Sequence, residues 1–326
     1  LIFLLQQQIS HRQSSFIAVI GASGSGKSSV VRAGLIPQLR QGELNGSENW
    51  FYVSMTPGDS PLLTFVEKLN SIAIYGDTTL LQVLRDNPKE GITSIGNMVG
   101  QQHVFVLIDQ FEELFTQIDD EAERKEFIDL IVTLCKSNLR ATIAITLRAD
   151  FYDKPLAYRE LGELIQTSTV TVLPMSSDEL EQVIIEPARS VRVEVQPSLV
   201  SQLIADTISQ PNALPLLQFT VTELFENRED DVLTLSAYEA MGRLQGSIVQ
   251  RAENVFLQLN PHERELVQKL FLQLIILSET SETVRRRILW RDALLISPNH
   301  EEVESIINLF GDSRLLTFDN EPILRQ

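Results

Sequence analysis

Five short apolar runs punctuate the first half of the chain, and each gives way within two residues to glycine, proline or a charged side chain. They are residues 16–20 (FIAVI), 50–55 (WFYVSM), 103–108 (HVFVLI), 141–147 (ATIAITL) and 167–173 (TSTVTVL). Runs of this length without polar alternation read as strands buried on both faces. Between them lie helical stripes. Val30, Val31 and Leu35 mark one, residues 61–69 another, and Phe127, Ile128, Ile131 and Leu134 or Cys135 a third within residues 121–135. Residues 76–100 read as short helical pieces broken by Pro88, Gly91 and Gly96. Residues 1–9 read as the tail of a helix. Strands alternating with helices predict a parallel sheet covered on both faces.

After Pro174 the period becomes helical throughout. Ser176 and Glu179 form a candidate capping box before Leu180, Val183 and Ile184. Leu199, Val200, Leu203, Ile204 and Ile208 form one stripe, and Leu214, Leu217, Val221, Leu224 and Phe225 the next. Ser236 and Glu239 suggest a second capping box, with Gly242 just past that short helix. Ile248, Val249, Ala252, Val255 and Phe256 mark a fourth helix. Asn260 then caps a helix with Pro261 at its first position, followed by Leu266, Val267, Leu270, Phe271 and Leu274. A short helix near residues 290–295 and another at 298–310, closed by Gly311, follow. Residues 314–318 read as a strand, Asp319-Asn320 as a turn and Ile323-Leu324 as a returning strand. Three helices and a hairpin describe a winged helix cut off in its wing. The expected domains are residues 1–174, 175–258 and 259–326.

Composition narrows the function classes. Acids outnumber bases by 44 to 27, for a net charge of −17, which disfavours broad non-specific nucleic-acid binding. Within residues 256–326 there are 8 Lys+Arg against 11 Asp+Glu, so Arg285-Arg286-Arg287 reads as a solvated edge rather than a DNA contact. One cysteine, Cys135, excludes an internal disulfide, sits on a helix stripe as a core residue, and fits a reducing cytoplasm. The four histidines lack metal-ligand spacing. No apolar run approaches the ~18–20 residues of a membrane span. LIFLL is too short, and lacks the basic flank, for a signal peptide. The first residue is Leu, which suggests a piece of a larger chain.

The chemistry concentrates where the strands end. Gly21-Ala22-Ser23-Gly24-Ser25-Gly26-Lys27-Ser28 follows the first strand, Ser29 extends the candidate nucleotide-binding stretch, and Val30, Val31 and Leu35 continue as a helix, the strand–loop–helix context of a P-loop. Glycines let backbone N–H groups approach phosphate oxygens, and the helix N-terminus favours an anion. Lys27 is placed to reach the β- and γ-phosphates, and the Ser28 hydroxyl to ligate Mg2+. The third strand ends in Asp109, the position of a Walker B acid. Glu112 and Glu113 follow, and either is a candidate to orient or deprotonate the attacking water. The fourth strand ends in Arg148, which would point at the γ-phosphate and report its presence, or serve a structural ion pair.

The stretches GASGSGKSSVVRAGLIPQL, MTPGDSPL, VLIDQFEELFT, TLRADFYDKPLA and NALPLLQFTVTELFE together resemble the novel STAND NTPases, relatives of the NACHT and NB-ARC proteins. The resemblance implies an α/β P-loop NTPase domain with a five-stranded parallel sheet in order 5-1-4-3-2, then a helical lid and a winged helix closing over ATP or ADP with Mg2+. It makes Gly21 to Ser28 Walker A and Asp109 Walker B, sets Glu112 and Glu113 at the NACHT acids, and puts Arg148 at sensor 1. Ala213-Leu214-Pro215 matches the Gly-x-Pro motif with Ala for Gly, and its Pro215 would lie near the adenine. The Gly-Arg-Glu-type motif is not found in residues 1–15, and the winged-helix histidine would lie beyond Gln326. The implied activity is that of a slow ATPase switch, with effector and sensor domains outside this segment and assembly into a homo-oligomer on activation. Regulated cell death and defence against phage are common among such relatives. A nucleotide-stabilised scaffold and a winged-helix DNA-binding regulator are the competing readings. Lack of a guanine-reading Asn/Thr-Lys-x-Asp motif favours ATP over GTP.

Overall fold

A computed structural model describes residues 14–74, 76–100, 102–210, 213–228, 230–277, 283–285, 288–316 and 318. The expected helix at residues 1–9 lies outside them. The chain divides into two compact units, Leu1–Ser176 and Ser177–Gln326.

The first unit is built on a five-stranded sheet: β1 (Ser14–Gly21), β2 (Phe51–Met55), β3 (Val104–Ile108), β4 (Ala141–Arg148) and β5 (Thr169–Val172). The strand order is β2-β3-β4-β1-β5 and every pairing is parallel, as the P-loop fold expects. Alternation within the strands fills two cores. Phe16, Ala18 and Ile20 join one, while Ile17 and Val19 join the other. The second core is closed by α1, which runs Lys27–Ser29, continues as a π-helical segment Val30–Leu35 and ends as Ile36–Arg40. Pro37 has no N–H to return to the preceding turn, which accounts for the widened helix just before it.

The opposite face is covered by α2 (Pro61–Ile72), α3 (Leu80–Asp86), α4 (Pro88–Met98), α6 (Glu121–Lys136) and α8 (Arg159–Ser168). Two short helices, α5 (Glu113–Thr116) and α7 (Asp153–Leu156), follow β3 and β4. Neither Gly91 nor Gly96 breaks α4. A Cβ on Gly91 would lie 2.4 Å from Leu84 Cδ2, so this glycine lets α3 and α4 meet rather than ending a helix. The fifth strand begins at Thr169, not Thr167, because α8 runs through Thr167 and Ser168. The Thr167 hydroxyl donates back to Glu163 O at 3.2 Å, a bond the helix interior offers and a strand does not.

At the opposite edge of the sheet from the strand C-termini, the His103 ring stacks on Trp50 at 3.9 Å and its Nε2 lies 2.9 Å from Thr142 Oγ1. Burial, with the Arg140 charge, lowers the His103 pKa to about 4. The unfolded chain takes up this proton first, near the ordinary histidine value. The contribution to stability is therefore intact above pH ~6.5 and lost as pH falls toward about 4, by on the order of 3 kcal/mol at most. His103→Gln is expected to flatten that stretch of the stability–pH curve relative to wild type in urea melts. Parallel curves would refute the burial argument.

In the second unit, α9 (Ser177–Ser190), α10 (Pro197–Ile208), α11 (Ala213–Glu226), α12 (Leu235–Ala240) and α13 (Arg243–Gln258) form, and Leu180, Ile184, Leu199, Val200, Leu203, Leu217, Leu224 and Val255 of the expected stripes are buried, whereas Val183, Ile208 and Val249 are exposed. A two-residue parallel pairing of β6 (Glu194–Val195) with β7 (Val232–Leu233) was not expected. The cap of α12 is Thr234, whose side chain accepts from Ala237 N; Ser236 lies inside the helix. Buried Tyr238 donates to Asp206 Oδ2 at 2.7 Å and ties α12 to α10.

Next come α14 (Pro261–Gln273), β8 (Ile275–Leu277), β9 (Thr283–Arg285), α15 (Trp290–Leu294) and α16 (His300–Asp312). Asn260 caps α14 as expected, and Glu263 completes a capping box with it. Leu266, Val267, Leu270, Val303, Ile306, Ile307 and Phe310 share one core. The expected strand at residues 314–318 is not formed over Arg314, Leu315 and Leu316. Arg314 adopts φ 58°, and the amides of Leu315 and Leu316 donate to Phe310 O at 2.9 and 3.2 Å. Those N–H groups finish the end of α16 and are spent before any ladder could use them. An antiparallel pair, β8 with β9, instead interrupts the chain between α14 and α15. The expected turn at Asp319-Asn320 and the returning strand at Ile323-Leu324 lie outside the described residues. No helix among the described residues is long and apolar enough to cross a membrane.

Candidate nucleotide site

Parallel strands bring their carboxyl ends to one edge, where open α/β sheets form their binding crevices. Gly21, the last residue of β1, pairs with Arg148 of β4 on one side and Val172 of β5 on the other. A Cβ on Gly21 would stand 2.7 Å from Val172 O, so the loop can leave the sheet here only through glycine. The loop then turns with Ser25 N donating to Ala22 O at 3.2 Å. Gly24 (φ 67°) and Gly26 (φ 89°) take the left-handed conformation that side chains resist. The space beside Gly26 is open to 4 Å. Ala22 and Ser29 are exposed, and Ser23 is half-buried.

Lys27 starts α1 and is 8% exposed. Its Nζ arches back to donate to Gly21 O (3.0 Å) and Ala22 O (2.7 Å). Burial lowers its pKa, against the raising pull of the Glu112 charge. Ser28 Oγ, one residue on, donates to Asp109 Oδ1 at 2.7 Å. Asp109 is buried and collects three further donors: Thr146 Oγ1 on Oδ1 (2.5 Å), Gln110 N on Oδ1 (3.2 Å) and Arg32 Nε on Oδ2 (2.9 Å). Gln110 adopts φ 53°, uncommon for a residue with a side chain, and its N–H also reaches Thr146 Oγ1 at 2.9 Å. That bend turns the chain sharply after β3 and sends the next two acids in different directions.

Glu112 lies on the Lys27 side, where its Oε2 accepts from Arg148 N at 3.3 Å. Burial raises its pKa, partly offset by backbone hydrogen bonds and the Lys27 and Arg148 charges. Glu113, 5% exposed, accepts from Gly58 N at 3.4 Å and so braces the loop after β2. Arg148 makes a two-point pair with Asp150, Nε to Oδ1 at 3.1 Å and Nη2 to Oδ2 at 2.6 Å. Although partial burial favours the acid form of Asp150, the Arg148 hydrogen bond and charge outweigh it and lower the pKa. Pro215 belongs to the second unit, exposed in the first turn of α11.

The structure thus gathers Lys27, Ser28, Asp109, Glu112 and Arg148 at one sheet edge, and adds two residues the sequence reading passed over. Arg32 follows Ser28 by one helical turn. Thr146 precedes Arg148 by two on the same strand face, and Ile145 pairs with Ile108, so the register sets Thr146 beside Asp109. Counting register from those two neighbours would have found it.

The residues fit a nucleotide phosphate with Mg2+. Ser25 Oγ is buried without a hydrogen-bond partner, and the left-handed glycine loop leaves an open cradle. Ser28 and Asp109 offer hard oxygen ligands 2.7 Å apart. Among the described residues no group of three His, Cys, Asp or Glu could hold a metal ion, so Mg2+ here would be shared between Ser28, Asp109 and the nucleotide's own oxygens.

No curated protein is significantly similar in sequence. Among solved structures, Aeropyrum pernix ORC2, determined as ADPNP–ADP complexes, aligns with a TM-score of 0.54 at 11% identity, over 94% of this chain and 91% of its own. Aeropyrum pernix ORC1 in complex with DNA aligns with 0.52 at 14% identity, over 96% and 81%. Drosophila ORC bound to DNA gives 0.50 at 14%, over 98% and 73%. At such identities the likeness is one of fold. The family profile described as Novel STAND NTPase 1 matches residues 2–324, nearly the whole chain. The chain therefore belongs to the novel STAND NTPases, and its parallel sheet is that of a P-loop NTPase.

Proposed function

We propose that this chain is an ATP-binding, slowly hydrolysing switch whose ADP and ATP states control domain opening. The observation that carries the reading is the Ser28–Asp109 contact at 2.7 Å beneath the Lys27 loop, with Glu112 on the same side. Backbone N–H groups of residues 21–29 bind the phosphates, and Lys27 leaves its two carbonyls to hold the β- and γ-phosphates. Ser28 and Asp109 would hold Mg2+, which would supply positive charge to the phosphate oxygens. Glu112 positions or deprotonates the attacking water; Glu113 serves the loop after β2. Arg148 senses the γ-phosphate by leaving Asp150 for it, and Pro215 contacts the adenine.

In this reading residues 1–174 bind nucleotide, 175–258 act as a lid, and 259–326 form a winged helix. ADP holds the domains closed. ATP favours an open form that self-associates and engages effector or sensor domains, in the cytoplasm. Converting a nearly all-closed population to a nearly all-open one takes ~10^4-fold preference, about 5.5 kcal/mol. The γ-phosphate contacts supply part of it, and self-association or a partner the rest.

The test is the shape and mass of the protein in ADP and in a non-hydrolysable ATP analogue, by small-angle scattering and light scattering. A larger or assembled ATP form is expected. Identical profiles in both nucleotides would overturn the switch and leave a nucleotide-stabilised scaffold.

A further inference from the structure

Both carboxylate oxygens of Asp109 are already engaged, and they are engaged differently. Oδ1 accepts from the hydroxyls of Ser28 and Thr146 and from Gln110 N. Hydroxyls both donate and accept, so Ser28 Oγ can turn a lone pair toward a cation without moving. Oδ2 is held by Arg32, which is a permanent positive charge with no acceptor. A cation arriving at Asp109 therefore finds one oxygen it can share and one charge that repels it.

Exposure indicates which partner can leave. The Asp109 side chain is 4% exposed, while that of Arg32 is 48% exposed. Asp109 is fixed by β3 and its hydroxyl donors, whereas the guanidinium has water on its other side. Arg32 also lies in the π-helical segment Val30–Leu35, an irregularity of the kind often found at functional sites.

We propose that Arg32 is the resident counter-ion of Asp109, which a divalent cation must displace, so that it sets the free Mg2+ concentration at which the nucleotide site loads. The inference rests on Ser28 and Asp109 being the Mg2+ position of the nucleotide site. Arg32 is a positioning residue: it acts on the reaction only through Asp109. Before loading it satisfies a buried carboxylate; on loading it yields the carboxylate and moves to solvent.

The experiment titrates free Mg2+, buffered from micromolar to millimolar, against binding of a fluorescent ADP analogue to the full chain. Wild type, Arg32→Gln and Arg32→Lys are compared, with Asp109→Asn as the control that removes the shared ligand. Arg32→Gln is expected to half-saturate at roughly three- to tenfold lower free Mg2+ than wild type, the scale of one charged hydrogen bond at a half-exposed site. Arg32→Lys keeps the charge without the planar fork and should fall between them. A purely structural ion pair would lower the melting temperature of Arg32→Gln and leave its Mg2+ requirement unchanged; that result, or a higher requirement, overturns the proposal. Wild type binding nucleotide with Arg32→Gln unshifted sinks only the role of Arg32. Wild type binding no nucleotide at any Mg2+ sinks the site assignment itself.

Discussion

Glu112→Gln is expected to slow ATP turnover by about 10^2- to 10^4-fold while leaving ATP bound, because the loss falls on proton transfer or water orientation. The amide is isosteric, so its oxygen can still accept from Arg148 N, the bond Glu112 makes at 3.3 Å. What disappears is the negative charge facing Lys27 and Arg148, and with it a lone pair that burial has made more basic than an ordinary glutamate's. The pH profile carries the same signature. Burial favours the neutral acid, so ionisation is deferred to higher pH. Wild-type turnover should therefore rise through an acid limb that lies above the ordinary glutamate range. Glu113→Gln is the informative contrast. Its neighbour is Gly58 N, from which the amide oxygen can still accept, so its substitution should leave single-turnover rates within a few-fold and cost at most about 1 kcal/mol of stability through the loop after β2. Single-turnover hydrolysis and urea melts on both variants decide it. Loss of turnover in Glu113→Gln with Glu112→Gln active would reverse the assignment.

The two acids show where a sequence stops being sufficient. That some acid just past Asp109 should serve hydrolysis is legible from spacing alone. Which acid faces Lys27 is not, because that depends on Gln110 at φ 53° and on the hydrogen bond its N–H donates to Thr146 Oγ1. Arg32 and Thr146 escaped for a related reason. Each is unremarkable in its own segment, and becomes part of the site only when parallel pairing sets β3 beside β4 and α1 over both.

The sheet was legible because its signals are redundant. The run ATIAITLR is β4 residue for residue, since no neighbouring helix competes for it. Where local signals conflict, tertiary contact decides. Thr167 and Ser168 look like strand residues but finish α8, and Gly91 looks like a breaker but is a contact between helices. The Leu315-Leu316 pair looks like a strand, yet its amides serve the end of α16. Hydrophobicity identifies what is buried; it does not say which hydrogen-bond partner a backbone will find first.

Lys27→Met should separate folding from binding more cleanly than any other change. The side chain is 8% exposed, and its amine is held below its ordinary pKa chiefly by burial. The sign of the linkage follows. A lysine whose folded pKa is lowered binds its proton more tightly in the unfolded chain, so at neutral pH the charged amine opposes folding, and that opposition fades only as pH rises toward the unfolded value. Methionine keeps the unbranched stem and removes the buried charge, so the nucleotide-free variant should melt no lower than wild type. It also removes the cation that closes on the phosphates. Affinity for ADP should fall at least about 100-fold, roughly 2.7 kcal/mol, and nucleotide at 100 times the wild-type Kd, which should stabilise wild type by about as much, should leave the variant nearly unmoved. Thermal melts with and without ADP, beside mass spectrometry of the nucleotide carried through purification, measure both halves. A variant that folds well and has lost its ADP shift fits a P-loop lysine held in place for its ligand. A variant that still gains the full shift would mean that Lys27 braces the loop through Gly21 and Ala22, and that the phosphates are held by the backbone alone.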